Sequence, residues 1–173
     1  MPAGRASTVL AGLAALLAGW VYKAVLRPPP PRTCGSPGGP PVTSPRVRLA
    51  DGRYLAYREW GVPREAARYR VVLVHGFGDS KDFGPKASPE LVEELGVYFV
   101  SFDRAGYGES DPNPNRTVAS EAMDVQELAD QLDLGDRFYV IGASMGGYTA
   151  WSCIRYIPHR HFKSPLMVLL VLL

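Results

Sequence analysis

A chain of 173 residues, 46% hydrophobic and 21% charged, is long enough for one globular domain and too apolar to be disordered throughout. Its net charge of +2, with acids and bases interspersed, argues against a nucleic-acid partner or an acidic tail. The two cysteines, Cys34 and Cys153, have neither metal spacing nor a disulfide framework, so they read as a linker thiol and a small buried residue.

The first element is membrane-like. From Thr8 to Leu26 only Thr8, Tyr22 and Lys23 are polar, and the run approaches the ~20 residues that a membrane-crossing helix needs. Trp20 and Tyr22 sit near its far end, where amphipathic rings favour an interface, and Lys23 is able to snorkel. The bulky stretch after the apolar centre offers no small-residue cleavage site. Residues 1–27 are therefore expected to be an uncleaved signal anchor or transmembrane helix, over the alternatives of a cleaved secretory signal or a transit peptide. Lys23, Arg27 and Arg32 after the segment, against Arg5 before it, lean towards a cytosolic C-terminal side. The expected localisation is membrane-associated, with the membrane unspecified.

Residues 28–46, PPPPRTCGSPGGPPVTSPR, are dominated by proline and glycine and read as an extended linker. A folded domain is expected over residues 47–158. It opens with VRLADGRYLAYREWG, where Asp51-Gly52 separates two alternating runs as in a β-hairpin. Val71 to Val74 is an apolar run suited to a strand buried on both faces. Ser88 as cap, Pro89 at the first position and Gly96 at the end delimit a helix with Leu91, Val92 and Leu95 as its apolar stripe.

A second strand, Val97 to Phe102, leads into the loop RAGYGESDPNPNR. Val118, Ala122, Val125, Ala129 and Leu132 recur at helical spacing, with Gly135 as the stop. A third strand, Arg137 to Ile141, meets the turn GASMGG, and a helix follows over Tyr148 to Ile157 until Pro158. Alternating strands and helices predict a doubly wound parallel sheet with ligands at the carboxyl ends of its strands.

Gly142-Ala143-Ser144-Met145-Gly146 fits G-x-S-x-G, in which a strained strand-to-helix turn projects a nucleophilic hydroxyl. By itself the pentapeptide is weak; preceded by HGFGDS and DRAGYGESD, each after a strand, it is specific. Over Val47 to about Pro158 the chain resembles the α/β-hydrolase family, in its serine esterase and lipase branch. The resemblance implies an α/β fold, here a partial doubly wound sheet with an N-terminal hairpin, parallel β-α units and the C-terminal strands missing. It makes Ser144 the nucleophile, and the backbone N–H groups of Phe77 and Met145 the oxyanion hole. Gly76, Phe77 and Met145 would line the substrate, an ester, thioester or acyl lipid, with the membrane as second partner; no nucleic acid, metal or cofactor is expected. Serine in place of aspartate at the elbow disfavours the related dehalogenases and epoxide hydrolases.

The resemblance gives the other motifs structural duties: hydrogen bonding for His75 and bracing of the site for Asp103, Arg104 and Glu109. His159 and His161 look like surface residues after a helix end. Asn115-Arg116-Thr117 is a glycosylation sequon relevant only to a luminal domain. The family's order is Ser, then an acid, then a histidine, whereas the 29 residues after Ser144 contain no Asp or Glu. Residues 159–173 are expected to be a non-family tail of a truncated or spliced product, with MVLLVLL read through from a non-coding stretch rather than serving as a makeshift neighbour for the third strand. The expected product is an inactive hydrolase fragment or, alternatively, a non-catalytic binding protein.

Overall fold

A computed structural model of the chain describes residues 3–26 and 32–159. They belong to two compact units, Met1–Arg32 and Thr33–Leu173. In the first, α1 spans Ala3–Val21 and continues as a π-helical turn over Tyr22–Leu26. Its stretch Thr8–Val25 has a mean hydropathy of 1.6 and none of it is buried. The helix is long and apolar enough to cross a membrane, a property that signal sequences share.

The second unit is built on a five-stranded sheet: β1 (Arg46–Arg48), β2 (Tyr54–Gly61), β3 (Tyr69–Val74), β4 (Val97–Phe102) and β5 (Tyr139–Gly142), in the order β1-β2-β4-β3-β5. The hairpin strands β1 and β2 are antiparallel, β2 runs antiparallel to β4, and β3 is parallel to both β4 and β5. From β3 the chain steps to one side for β4 and then back across to the other side for β5. Right-handed crossovers in opposite directions place their helices on opposite faces, and the strand at which the direction reverses is the switch point where ligands settle.

The two cores follow from that reversal. On one face α3 (Val118–Gln131) and α4 (Gly146–Tyr156) pack through Ala122, Val125, Leu128, Ala150 and Cys153 against Val72, Val74, Val100 and Val140. On the other, α2 (Pro89–Leu95) brings Val92 to Val71, Leu73, Val97 and Phe99. β3 and β4 face both cores, which is why their sequences are apolar without alternation.

The helix punctuation falls where the sequence puts it for α2: the Ser88 hydroxyl accepts from the Leu91 N–H, Pro89 opens the helix, and Gly96 closes it at a φ of 67°. The expected stripe is narrower, however. Leu91 and Leu95 are 46% and 45% exposed, because among the described residues no neighbouring helix flanks α2 on its face. α3 ends at Gln131, ahead of Gly135, with Asp133 in the left-handed region at a φ of 50°. β5 starts two residues later than expected, and α4 starts two residues earlier, at Gly146.

The Pro/Gly stretch is not uniformly extended. Between Thr33 and Pro45 it folds into successive turns, with Gly35 N–H on the Pro40 carbonyl and Gly39 N–H on that of Ser36. Thr43 and Ser44 each direct both a backbone N–H and a hydroxyl at the Glu109 carboxylate. The segment from Thr33 thus belongs to the second unit by its hydrogen bonds. MVLLVLL and its suggested pairing with β5 lie outside the described residues, as does His161.

Candidate active site

The register of the parallel strands builds the site. Val74 at the end of β3 lies opposite Gly142 at the end of β5, so His75-Gly76 and Ala143-Ser144 leave the sheet side by side. The Ala143 N–H bonds to the Val74 carbonyl at 3.0 Å, which holds the two strand exits together. A side chain on Gly146 would collide with the Val74 carbonyl, and one on Gly142 with Gly146 itself. Both glycines are required by this close approach, and they let α4 start directly beneath the turn.

Between them Ser144 adopts a φ of 47°, in the left-handed region that a serine enters only at a cost of order 1–3 kcal/mol. The turn is fixed by the Gly146 N–H on the Ala143 carbonyl, 2.7 Å, and the Gly147 N–H on the Ser144 carbonyl, 3.0 Å. Ser144 is exposed at its apex. A Cβ placed on Gly76 would lie 3.6 Å from the Ser144 hydroxyl oxygen, so the loop after β3 passes directly beside the hydroxyl. The N–H groups of Met145 and Phe77 meet no acceptor among the described residues, and neither does the Ser144 hydroxyl.

His75 is wholly buried and locks two loops together. Its Nε2 accepts the Arg104 N–H at 3.0 Å, so Nδ1 carries the proton and donates to the Gly76 carbonyl at 2.8 Å. The ring also meets Tyr107 edge-on at 4.9 Å. Burial is the largest influence on this imidazole and lowers its pKa; the Gly76 bond opposes it, and Arg104 adds to the lowering.

Asp103 is the hub of the same layer. Its carboxylate accepts the Lys81 N–H at 2.7 Å, the Lys81 ammonium at 3.0 Å and the Glu109 N–H at 3.0 Å. Burial works to raise the Glu109 pKa, but the hydrogen bonds from Thr43 and Ser44 prevail and hold it at about 2. These residues brace the loops and present no free base to Ser144.

Two features escape a sequence reading. Glu121 on α3 is buried and takes Arg104 at 2.8 Å, Arg116 at 2.6 Å and the Thr149 hydroxyl of α4. The network ties the elbow helix to the loop after β4, and its one sequence signal is an acidic residue beside the apolar positions of α3. Secondly, the Phe77 side chain, free by the sequence reading to line an acyl pocket, is 79% exposed. A cavity of about 480 Å³ lies on the α2 side, lined by Trp60, Val62, Pro85, Val92 and Phe99, and shares no lining residue with Ser144.

Comparison with known proteins agrees with this geometry. Residues 71–172 match the model of the alpha/beta hydrolase family, more than half of the chain. A non-heme chloroperoxidase from Streptomyces lividans is 30% identical over 70% of this chain and 43% of its own length. Lipase 1 of Psychrobacter immobilis is 32% identical over 58% of this chain and 31% of its own. Among solved structures, a thermophilic esterase from Thermogutta terrifontis superimposes with a TM-score of 0.56 at 28% identity, covering 69% of this chain and 43% of that one. The chain spans less than half the length of these relatives. With its doubly wound sheet, its strained serine turn and this match, the chain belongs to the alpha/beta hydrolase family.

Proposed function

We propose that this chain carries the nucleophile half of a serine hydrolase acting on carboxylic esters, thioesters or acyl lipids, held at a membrane by residues 1–27. The observation that carries the reading is Ser144 at a φ of 47°, exposed, with the Gly76 backbone beside its hydroxyl. In this reading residues 28–32 link the anchor to the hydrolase part, a boundary supported by the hydrogen-bonded turns from Thr33 onward and by a family match that runs to residue 172.

Ser144 Oγ attacks the acyl carbonyl carbon, and the negative charge that develops on the carbonyl oxygen is met by the N–H groups of Phe77 and Met145. Each such donor is worth about 2.7–4 kcal/mol in a working site. Collapse expels the alcohol or thiol and leaves an acyl ester on Ser144, which water then cleaves. Gly76 keeps the loop close enough for the Phe77 N–H to take part. Met145, 38% exposed, and the Phe77 ring border the place where the acyl group enters.

The serine proton needs an acceptor, and among the described residues no imidazole or carboxylate bonds to the Ser144 hydroxyl. On its own this chain is therefore slow. A serine-directed fluorophosphonate is expected to give little labelling, and what prolonged exposure gives is expected on Ser144 and absent from a Ser144→Ala variant. Rapid, Ser144-dependent labelling overturns the incomplete-site reading; labelling spread over other serines overturns the nucleophile. The second reading, a non-catalytic α/β-hydrolase fragment that binds rather than cleaves, is favoured by the same lack of a base at Ser144 among the described residues, and a complete absence of Ser144 labelling selects it.

A further inference from the structure

Among the described residues of the second unit, the three most exposed large apolar or aromatic side chains are Phe77 at 79%, Tyr148 at 66% and Trp151 at 58%. All belong to segments that leave the carboxyl end of the sheet near Ser144. Phe77 follows β3, and Met145 and Tyr148 begin α4 directly after β5, which is parallel to β3. Trp151 is one helical turn beyond Tyr148 on the same side of α4. Exposed aromatics gathered around a nucleophile mark an interaction surface rather than random surface composition.

We infer that Phe77, Met145, Tyr148 and Trp151 form a rim that seats the Ser144 site on the headgroup–acyl boundary of a lipid bilayer. The inference rests on the membrane-anchored hydrolase reading above and names where its substrate comes from: an acyl lipid presented from the bilayer itself. Two observations select lipid over another occupant. The six residues between Leu26 and Thr33 span at most about 20 Å when fully extended, so with α1 anchored Thr33 stays within that reach of the helix end. The rim is also made of the residue types that settle there, tryptophan and tyrosine with an apolar body and a polar tip, alongside phenylalanine and methionine. Weak interfacial contacts become effective when a second, covalently linked element already holds the protein at the membrane. Asp79, the acid of the same loop, bonds its own neighbour's N–H at Ser80 and is exposed, a position compatible with the headgroup layer.

The test uses the full chain reconstituted into phosphatidylcholine vesicles whose acyl chains carry bromine near the headgroup. The chain has three tryptophans, so a Trp20→Phe variant is compared with Trp20→Phe/Trp151→Phe, the difference being the emission of Trp151. The expected result is loss of that emission in brominated vesicles and its retention in unbrominated ones. Tyr148→Asp and Phe77→Asp, both at exposed positions away from the core, are expected to restore it. Flotation of the vesicles separates the two levels of the reading. A chain that does not float overturns the anchor and the rim together. A chain that floats with Trp151 unquenched overturns the rim alone and assigns those aromatics to a protein neighbour.

Discussion

Ser144 concentrates the energetics of the site in one residue. Its left-handed backbone is strained for serine and relaxed for glycine, whose own entropic cost offsets part of the gain. Ser144→Gly is expected to raise the unfolding free energy by up to about 1 kcal/mol, and Ser144→Ala to bring no such gain, as read by thermal or urea melts. His75 supplies a pH dependence. Its folded pKa lies below the unfolded value of about 6.5, so between the two the unfolded chain binds the extra proton. Stability is thus fully present above that unfolded value and falls as the pH drops below it towards the depressed folded one. A His75→Gln variant is expected to show a shallower loss below pH ~6.5 in melts taken across that range. The turn at Ser144 and its glycines were legible because the turn is a local structure with a local signature. The duties of Glu121 and Lys81 were not, because each depends on partners that the chain brings together over distance.

Elements were legible to the extent that their ends carry their own chemistry. Ser88, Pro89 and Gly96 delimit α2 without reference to the rest of the fold, whereas the width of its buried stripe depends on what packs beside it. α3 begins with a capping box in which the Thr117 hydroxyl accepts the Ser120 N–H while the Ser120 hydroxyl accepts the Thr117 N–H. Thr117 is also the third residue of the glycosylation sequon, so its hydroxyl already serves the helix. Thr117→Ala is expected to cost about 1 kcal/mol by removing the cap. Leu128→Ala, at a fully buried position on the same helix, is expected to cost about 2–5 kcal/mol, and chemical denaturation of the two variants distinguishes an end effect from a core effect. α3 ends ahead of Gly135 because Asp133 already leaves the helical region at a φ of 50°, two residues before Gly135 does so at 72°.

At the scale of the molecule, the order of strands was not legible in any single segment, since it arises from the reversal of direction at β3. The reversal leaves β5 at the sheet edge among the described residues, with its own Tyr139 and Ile141 half-buried. An apolar edge of this kind is where sheets associate, and the Streptomyces lividans relative, 43% of which is covered by the match, has further residues with which to cover its own. The second core is accordingly the thinner one, closed by the seven residues of α2.

The buried thiol of the elbow helix turns that asymmetry into something that a clock can read. Cys153 lies wholly inside the α3–α4 core, and burial, with Glu121 adding to it, pushes its pKa up to about 12. Thiolate is the reactive form, so an alkylating reagent reaches Cys153 only when α4 lifts from the sheet, while the half-exposed Cys34 reacts from the start. The lag between the two alkylations, followed by mass spectrometry, measures how often the helix that follows Ser144 leaves its seat. Equal rates would mean a helix that is never firmly seated, and a long lag a unit that keeps the Ser144 turn assembled.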